Sequence, residues 1–540
     1  MTEKSVVQSR CLSFQQVPHA TRLFLDYLYH FDNVHRFFPR PPFSRDWLKE
    51  EVSRLHYDAA RRQRVAAILE RQNRAWDASQ ETLDNIARFR AGASAVVTGQ
   101  QVALFGGPLF SIYKALTAIK LATEFTHAGH ECVPIFWLAT EDHDLAEVNH
   151  VTLLAPDGSL APFVTEARGP EDAPMNAVRF GPEIEARAEE ATRLLGDPEA
   201  AEFLRQSYRA GETLGDAFAR LFSRLFRHSG VILIDASDPE LHGIAESVYR
   251  AAVVAASDLD QALLERSREL EAAGYHAQVK VTPSSTLLFS MKDGSRVPVH
   301  RASGDFTISG EKLSQQELLR RITERPAEFS ANVLLRPVVE DYLLPTVAYV
   351  GGPAEIAYFA QAAVVYEELL GRVTPILPRL SATLVESRIQ RLLERYGLSP
   401  ADAFRDPEYL RVLIAERALP GDINASFDAA IGQLEGSMAG IRASLERLDP
   451  TLVEASERAA SKIRYQLDRL RERAARAQLR RSEETAAQAA SLSNSLYPQK
   501  EPQERVIGAM SFLGRYGAQL LLTLYDAAKT GCPDHQVVYL

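Results

Sequence analysis

The fold of this chain is decided by residues 94–144, SAVVTGQQVALFGGPLFSIYKALTAIKLATEFTHAGHECVPIFWLATEDHD. The stretch starts with a short apolar strand at residues 94–98. After the loop GQQVALFGG, a helix begins at Pro108, which is a favoured residue for a first helical turn. A second apolar strand, CVPIFWLA, follows at residues 132–139. Strand, helix and strand in this order predict a right-handed parallel βαβ unit.

Further units of the same kind follow along the chain. VILIDAS at residues 231–237 predicts a strand, and Ser237 or Asp238 is placed to cap a helix that begins near Pro239. Two more predicted strands, NVLLRPVV and TVAYVGG, precede a helix at residues 353–370. Fully apolar strands are typical of a parallel sheet that helices cover on both faces. The predicted fold class is therefore α/β, with a Rossmann-like doubly wound parallel sheet that two connecting insertions interrupt.

The other regions differ from this core in composition. Residues 45–90 are charged and contain no glycine or proline, which predicts one long helix or two joined helices. The predicted organisation is 1–155, N-terminal helices and first half of the core; 156–205, first insertion; 206–274, core continued; 275–330, second insertion; 331–385, last core strands; 386–500, helical coiled-coil dimerisation domain; and 501–540, a C-terminal segment packing back on the core.

A heptad seam predicts the coiled coil. The apolar positions of the first helix are Phe427, Ile431, Leu434, Met438, Ile441, Leu445 and Leu448. Pro450 interrupts the pattern, and a second amphipathic helix continues with Leu452, Ala459, Ile463, Leu467, Leu470, Ala474 and Ala477. Two such helices joined by a short break predict an antiparallel α-helical coiled-coil hairpin, and the same seam is an expected subunit interface.

Charge and hydropathy exclude several classes of protein. The net charge of −10 argues against a general nucleic-acid binder, because such proteins carry a basic surface. The basic run at residues 462–481 is typical of a solvated coiled-coil face and lacks interleaved aromatics for base stacking. No apolar run reaches about 18 residues, so no membrane span is expected. The N-terminal residues MTEKSVVQSRCLSFQQ have no signal-peptide pattern, so a cytoplasmic location is expected.

Three cysteines are present, Cys11, Cys132 and Cys532, and they lie far apart in the sequence. Without a CxxC pair, neither a disulfide framework nor a thiolate zinc cluster is predicted. The expectation is three reduced thiols with a packing role.

The segment TEDHD places four ionisable groups, Glu141, Asp142, His143 and Asp144, just beyond a predicted strand. Open α/β sheets bind their ligands at this edge. Packed carboxylates raise one another's pKa, and histidine transfers protons near neutral pH. The cluster therefore predicts activation of an amine nucleophile or binding of a substrate ammonium, and its spacing specifies no metal. The alternative is a solvated loop in which Asp144 caps a helix.

The segment TGQQ follows the first strand, and its candidate ligand-binding residues are Thr98, Gly99, Gln100 and Gln101. Amides and a hydroxyl at that position suit a nucleotide, a carboxylate or a sugar. The pairs Gly106-Gly107 and Gly351-Gly352 each precede a proline and a helix. Glycine lets a backbone approach an anion at a helix start. A polar turn and two tight strand-to-helix turns without a ligand would show the same residues.

Two cations are candidate partners of a substrate carboxylate or phosphate. Lys114 lies in the helix after Gly107, where a snorkelling surface lysine is the alternative. Arg336 lies inside the predicted strand LLRPVV, where a buried arginine requires a carboxylate such as Glu340. The same ambiguity applies to Arg372 and Arg379, which flank a predicted loop, TPILP.

Four long blocks resemble the cysteine-adding enzyme family of bacillithiol biosynthesis. They are VVTGQQVALFGGPLFSIYKALTAIKLA, PIFWLATEDHDLAEVNHV, LLRPVVEDYLLPTVAYVGGPAEIAYFAQ and PILPRLSATLVE. The resemblance continues to ERVIGAMSFLGRYGAQLL and thus covers nearly the whole chain. It implies a Rossmann-like core with two insertions, and a coiled-coil domain that forms a homodimer.

The resemblance also implies a reaction, the joining of the carboxyl of L-cysteine to the amine of glucosaminyl-malate in the last step of bacillithiol biosynthesis. Amide formation requires an activated acyl group, so ATP or another nucleotide is an expected co-substrate, and no metal is specified. The family core is similar to that of class I aminoacyl-tRNA synthetases, but this chain has no HxGH-type signature and no KMSKS-type loop.

Roles for the candidate residues follow from this reaction. His143, oriented by Asp142 or Asp144, is the expected base or amine-binding group. Gln100 and Gln101 would position the acyl or nucleotide end of a substrate. Two other functions stay open: a Rossmann-core nucleotidyl-transferring or acyl-activating enzyme that uses another small acid, and a non-enzymatic dimeric coiled-coil scaffold.

Overall fold

The computed structural model describes residues 8–302 and 304–540, so the expectation for the N-terminus falls partly on residues 1–7, outside the described residues. The chain folds into two compact units. The first contains residues up to 155, 160–383 and 504–538, and the second contains 156–159, 384–503 and 539–540.

The strands of the described residues are short. They are β1 (Ser9–Leu12), β2 (Ser94–Gln100), β3 (Cys132–Leu138), β4 (His150–Leu154), β5 (Leu160–Val164), β6 (Ile232–Asp235), β7 (Ser285–Lys292), β8 (Ser295–Ala302), β9 (Asp305–Ile308), β10 (Glu311–Leu313), β11 (Phe329–Ala331), β12 (Thr346–Gly351), β13 (Ile376–Pro378), β14 (Ala382–Val385) and β15 (His535–Tyr539).

The α-helices vary more in length. They are α1 (Arg22–Tyr29), α2 (Leu48–Arg54), α3 (Ala59–Ala75), α4 (Gln80–Ala91), α5 (Leu109–His127), α6 (Leu145–Val148), α7 (Glu183–Thr192), α8 (Pro198–Ser207), α9 (Leu214–Leu225), α10 (Pro239–Val254), α11 (Ala256–Ala272), α12 (Gln315–Glu324), α13 (Arg336–Leu343), α14 (Pro353–Leu370), α15 (Ser387–Arg395), α16 (Pro400–Ala403), α17 (Pro407–Arg417), α18 (Gly421–Leu448), α19 (Leu452–Arg481), α20 (Glu483–Leu496), α21 (Gln503–Val506), α22 (Met510–Tyr516) and α23 (Gln519–Ala527).

The central sheet of the first unit has the order β13-β12-β2-β3-β6, and every neighbouring pair in it is parallel. Strand β2 was predicted as the first core strand, and β3 and β6 follow it on one side. The chain then returns to β2 and adds β12 and β13 on the other side. The strand order therefore reverses between β2 and β12, which is where doubly wound sheets bind ligands. The predicted α/β class is confirmed.

Local sequence explains these elements. Strand β2 is buried at six of its seven positions, and β3 is buried at all seven, as expected for the middle of a sheet covered on both faces. The helix α10 begins where it was predicted, because the Asp238 side chain accepts a hydrogen bond from the Glu240 N–H.

Other strands of the first unit pair in antiparallel fashion. Strands β7 to β11 form a five-stranded sheet with the order β10-β9-β8-β7-β11, and most of it lies in residues 275–330, the predicted second insertion. Helix α12 follows β10 in the same stretch. In a separate pairing, β1 runs antiparallel to β15, with Cys11 opposite Gln536.

The helix prediction for residues 45–90 was wrong in number, because three helices occupy this stretch. Two N-cap residues divide it. The Asp58 side chain accepts from the Arg61 N–H and starts α3, and the Ser79 side chain accepts from the Thr82 N–H and starts α4. Asp77 between them has a φ of 56°, which no helix interior permits.

Two further predictions are corrected near the end of the core. The segment NVLLRPVV is not a strand, because Arg336 begins helix α13 and Pro337 occupies its first turn. The Asn332 side chain accepts from the Leu334 and Leu335 N–H groups just before this helix. The segment TPILP is not only a loop, since it contains β13, which pairs with β12.

In the second unit, α18 and α19 form the predicted hairpin, and a break at residues 449–451 joins them. Ion pairs such as Arg471 Nη2 with Asp428 Oδ1, at 2.5 Å, connect the two helices in an antiparallel arrangement. Helix α18 has no buried residue, and Ile441 and Leu448 in its seam are exposed. One hairpin alone therefore does not cover the apolar seam.

Within the described residues, no helix combines the length and the apolar character that a membrane crossing requires.

Candidate active site

A cavity of about 310 Å³ opens at the carboxyl edge of the central sheet, where the strand order reverses. Its wall combines the end of β2, the segment after β3 and the start of α14. The lining residues include Gly99, Gln100, Gln101, Lys114, Trp137, Asp142, Glu147, Arg336, Glu340, Tyr349, Gly352, Glu355, Tyr358, Arg379 and Arg505. We call this the switch-point cavity. It brings together seven of the fourteen predicted site residues, at Gly99, Gln100, Gln101, Lys114, Asp142, Arg336 and Gly352.

Lys114 is buried and not a snorkelling surface side chain. Its Nζ lies 2.5 Å from Glu355 Oε2 and donates to the Gly99 carbonyl at 2.7 Å and to Gln100 Oε1 at 2.9 Å. Burial lowers the pKa of Lys114, and Glu355 opposes that shift. The ammonium therefore links β2 to α14, and its three N–H donors bond to protein atoms.

Gln101 links the two polar segments that the sequence singled out. Its Nε2 donates to Asp142 Oδ2 at 2.7 Å and to Glu147 Oε2 at 2.8 Å. Burial raises the pKa of Asp142, but the hydrogen bonds from Gln101 and the His143 N–H, together with the Arg296 and Arg336 charges, outweigh it, so the pKa is lowered overall. Asp142 is therefore a permanent negative charge in the cavity, suited to an ammonium group.

Arg336 and Glu340 form the opposite wall, one helical turn apart on α13. Arg336 Nη2 donates to the Tyr358 hydroxyl at 3.0 Å, and its Nε lies 3.4 Å from Glu340 Oε1. The second carboxylate oxygen of Glu340 is buried and has no hydrogen-bond partner among the described residues. Burial raises the pKa of Glu340 to about 8, although Arg336 opposes this shift. Glu340 is thus a carboxyl group that exchanges a proton near neutral pH.

Glu141 points away from this cavity into the protein. Burial raises its pKa to about 7. Its Oε1 lies 3.4 Å from His242 Nε2, but burial lowers the pKa of His242 to about 4, so this contact is not an ion pair at neutral pH.

His143 lies beside a second cavity of about 530 Å³, which residues 169–173 also line. Arg296 Nη1 from β8 approaches His143 Nδ1 at 3.4 Å, and the same guanidinium stacks on Phe289. Because a guanidinium only donates, Nδ1 is the acceptor in this contact. The imidazole is thus adjacent to the switch-point cavity and does not line it.

The remaining member of the acidic cluster has a structural contact. The Asp144 side chain accepts from the Glu147 N–H at 3.3 Å and caps the short helix α6. This is the arrangement that the loop-and-cap alternative predicts for Asp144.

The first glycine pair lies outside the switch-point cavity. The Gly106 N–H donates to the Tyr208 hydroxyl at 3.0 Å, and the Gly107 N–H donates to the Leu104 carbonyl at 3.0 Å. Both N–H groups that would cradle an anion are therefore occupied by the protein itself.

One member of the second pair, Gly352, lies at the cavity wall. Gly351 ends β12, and the Gly352 N–H donates to Glu355 Oε2 at 2.8 Å. Thr98 is fully buried, and its hydroxyl donates to the Val350 carbonyl at 2.8 Å, so it joins the two strands at the switch point.

The sequence alone did not identify several lining residues as site residues. Glu340, Tyr349, Glu355 and Tyr358 belong to α13, β12 and α14, and they lie in blocks already quoted above. Their available signal was a carboxylate or phenol embedded in an otherwise apolar stretch. Such a group is expected to be buried and to have a polar partner, although the sequence does not reveal which cavity it faces.

Comparison with known proteins matches this architecture in both units. A family model described as "Bacillithiol biosynthesis BshC, N-terminal Rossmann-like domain" matches residues 7–380, and one described as "Bacillithiol biosynthesis BshC, C-terminal coiled-coil domain" matches residues 382–540. The chain is 49% identical over 528 residues to a Koribacter versatilis protein, covering 98% of this chain and 99% of that protein. It is 38% identical over 531 residues to a Solibacter usitatus protein, covering 98% and 99%. Both proteins carry the name "Putative cysteine ligase BshC".

Proposed function

The chain belongs to the BshC family of bacillithiol biosynthesis, and from that premise we propose that it is an amide-forming cysteine ligase. The proposed reaction joins the carboxyl of L-cysteine to the amine of glucosaminyl-malate. The observation that carries the proposal is the switch-point cavity, in which fixed carboxylates and fixed guanidinium groups face one another.

The charges of this cavity suit the two substrates. Glucosaminyl-malate contributes an amine and carboxylates, and cysteine contributes an ammonium and a carboxylate. Asp142 keeps its negative charge and is the proposed ammonium contact. Arg336 is the proposed anion contact, because burial lowers its pKa but Tyr358 and Glu340 raise it further, so it stays charged. Gln100 and Gln101 are held by Lys114 and Asp142 and would orient the polar groups of a substrate.

The amine must lose a proton before it attacks the acyl carbon. Glu340 is the proposed acceptor, because it lines the cavity, keeps one oxygen free of hydrogen bonds and has a pKa near neutrality. The sequence pointed to His143 for this role, and His143→Asn remains the direct test of it. If His143 is the base, that variant lowers turnover by about a hundredfold while the fold persists.

The cysteine carboxylate requires activation before it forms an amide, so the proposal includes ATP as co-substrate. The N–H groups of Gly106, Gly107 and Gly352 do not form a phosphate cradle, because each bonds within the protein. Phosphate contacts would therefore come from side chains, and Arg505 at the cavity wall is placed for one.

The decisive experiment incubates purified protein with cysteine, glucosaminyl-malate and ATP and detects bacillithiol by mass. Parallel reactions omit ATP, replace cysteine by serine, or replace ATP by other nucleoside triphosphates. Product with serine at an equal rate would favour an acyl-activating enzyme for another small acid. The absence of product with every acid tested would favour the scaffold alternative and overturn the ligase.

We also propose that α18 and α19 form a homodimer. The support is the exposed apolar seam, which includes Ile441, Ile463 and Leu470. Replacement of Ile431, Leu434 and Ile441 by glutamate would bury repelling charge and give monomers by light scattering. The control adds the same charge at Gln433, Ser437 and Ser444, which are exposed polar positions of α18. A seam variant that remains dimeric would contradict this interface.

A further inference from the structure

Two of the three cysteines, 521 positions apart in sequence, meet in the structure. Cys11 Sγ in β1 lies 3.1 Å from Cys532 Sγ, which belongs to the turn before β15. The antiparallel pairing of β1 with β15 brings them together, and the Cys532 N–H donates to the Lys529 carbonyl at 3.0 Å to shape the turn.

A third ligand atom converges on the two sulfurs. One oxygen of Asp534, two residues after Cys532, lies within 4.8 Å of both, as the sulfurs do of each other. Among the residues that the structure describes, this is the group of histidine, cysteine and acidic side chains that meets the spacing of a metal site. We propose that Cys11, Cys532 and Asp534 bind one divalent metal ion of the zinc class.

The ligand types select this class of metal. Two thiolates exclude the hard cations Mg²⁺ and Ca²⁺, which require oxygen ligands, and they favour Zn²⁺. Three protein ligands leave the fourth tetrahedral position open, and the exposure of Cys11 lets water occupy it.

The surroundings orient the carboxylate as metal sites require. The Tyr29 hydroxyl donates to Asp534 Oδ1 at 2.7 Å and accepts from the Phe14 N–H at 2.9 Å. This bond holds the Asp534 carboxylate beside the two sulfurs. Hydrogen bonds of this kind fix the orientation of metal-binding carboxylates and histidines.

The local charge also balances. Two thiolates and one carboxylate carry three negative charges, and a divalent ion leaves one of them uncompensated. Lys529 Nζ lies 4.0 Å from Cys11 Sγ and supplies the missing positive charge. A disulfide requires only the two cysteines, whereas the converging Asp534 oxygen and the adjacent Lys529 charge are the features of a metal site.

The first test measures metal in the full chain purified without chelators. About one zinc ion per chain is expected by mass spectrometry of the elements, as for a mononuclear site. After exchange with Co²⁺, a sulfur-to-cobalt charge-transfer band in the near ultraviolet should appear. Cys11→Ser and Asp534→Asn should each weaken Co²⁺ binding by at least about tenfold, and Tyr29→Phe by about tenfold.

Matched controls use Cys132, which is buried elsewhere, and Asp526, which is exposed nearby. Cys132→Ala and Asp526→Asn should leave the band unchanged. If Cys532→Ser does not fold, Cys11→Ser on the exposed strand still decides the question. A band that persists in Cys11→Ser overturns the proposal. A Cys11–Cys532 disulfide by peptide mapping, in protein that takes up no zinc after reduction, overturns it in favour of a redox pair.

Discussion

The chain contains the string GGP twice, at 106–108 after β2 and at 351–353 after β12, and the two copies form different structures. In the first turn both glycines have positive φ, 83° and 69°, and both N–H groups bond to buried protein atoms. In the second turn Gly352 has an ordinary φ of −86° and lines the switch-point cavity. One turn therefore serves the fold and the other serves the site.

The difference arises from what each turn packs against. Leu221 lies 3.2 Å from the position of a Cβ on Gly106, so helix α9 closes over the first turn. At the second turn, Arg379 and Glu355 lie near Gly352 instead. The role of a glycine-rich strand-to-helix turn thus depends on what packs against it: helix α9 at the first turn, and the charged side chains of the cavity at the second.

The largest expected effect is on stability at the second turn. Glu355→Gln removes the partner of the buried Lys114 and should lower the free energy of unfolding by about 3–5 kcal/mol. Urea denaturation measures it, with Glu368→Gln, exposed on the same helix, as the control. Adding Lys114→Met should restore much of the loss. A Glu355→Gln variant as stable as the control would show that the pair does not hold this turn.

The next effect is on turnover beside the second turn. Glu340→Gln should lower turnover by about a hundredfold, the usual scale for a lost general base. In the unaltered protein, the rate should rise as the pH increases and level off above pH about 8, and the variant should lack this dependence. Equal turnover of the two proteins with saturating substrates would remove Glu340 from the chemistry.

Glu340 should also make the free energy of unfolding depend on pH. Because burial raises its pKa from 4.5 to about 8, the folded protein holds this proton more tightly than the unfolded chain. Its stabilising contribution is complete below pH 4.5 and is lost as the pH rises through 8. Denaturation series at several pH values should show this decline in the unaltered protein and a smaller one in Glu340→Gln.

Alanine at the two turns should have opposite consequences. Gly107 has φ 69° and ψ −167°, a region almost restricted to glycine, so Gly107→Ala should cost about 2 kcal/mol of stability. Gly352→Ala should keep its stability within about 0.5 kcal/mol and lose activity, because its Cβ would lie 3.3 Å from Arg379 Nε. Gly129→Ala, with positive φ but open space, is the control for backbone strain alone. If Gly107→Ala and Gly352→Ala changed stability and activity in the same way, the two turns would not have different roles.

The smallest effect concerns the hydroxyl above the first turn. Tyr208→Phe leaves the buried Gly106 N–H without its acceptor and should cost about 1 kcal/mol, with turnover unchanged. The exposed Tyr465→Phe is the matched control in the same melting experiment. A loss of activity without a loss of stability would mean that the first turn contributes to the site after all.

The sequence predicted the parallel core because its apolar runs and glycine turns are local signals of strands and strand ends. It failed at NVLLRPVV, since a short apolar run has no period that separates a strand from a buried helix. Pro337 in the first turn and the Asn332 contacts to the following N–H groups distinguish them, and the Asn332 contacts depend on geometry.

The candidate site was predictable to a similar extent. Gln101 and Asp142 follow adjacent strands, and parallel strands bring such residues to one edge. Glu340 and Glu355 were not singled out as site residues, because each lies in a largely buried helix and the sequence does not show which cavity its side chain faces. His143 lies beside the cavity and contacts Arg296, a contact across 153 positions that no local pattern encodes.

The pairing of β2 with β12 has a consequence for biosynthesis of the protein. Ala95 lies opposite Thr346, so the central strand receives one of its two neighbours only after about 250 further residues have left the ribosome. At bacterial elongation rates this takes on the order of tens of seconds. During that time one edge of an apolar nascent strand is unprotected, and such edges recruit other chains. Co-translational chaperones should therefore raise the yield of this protein more than that of proteins whose central strands pair locally.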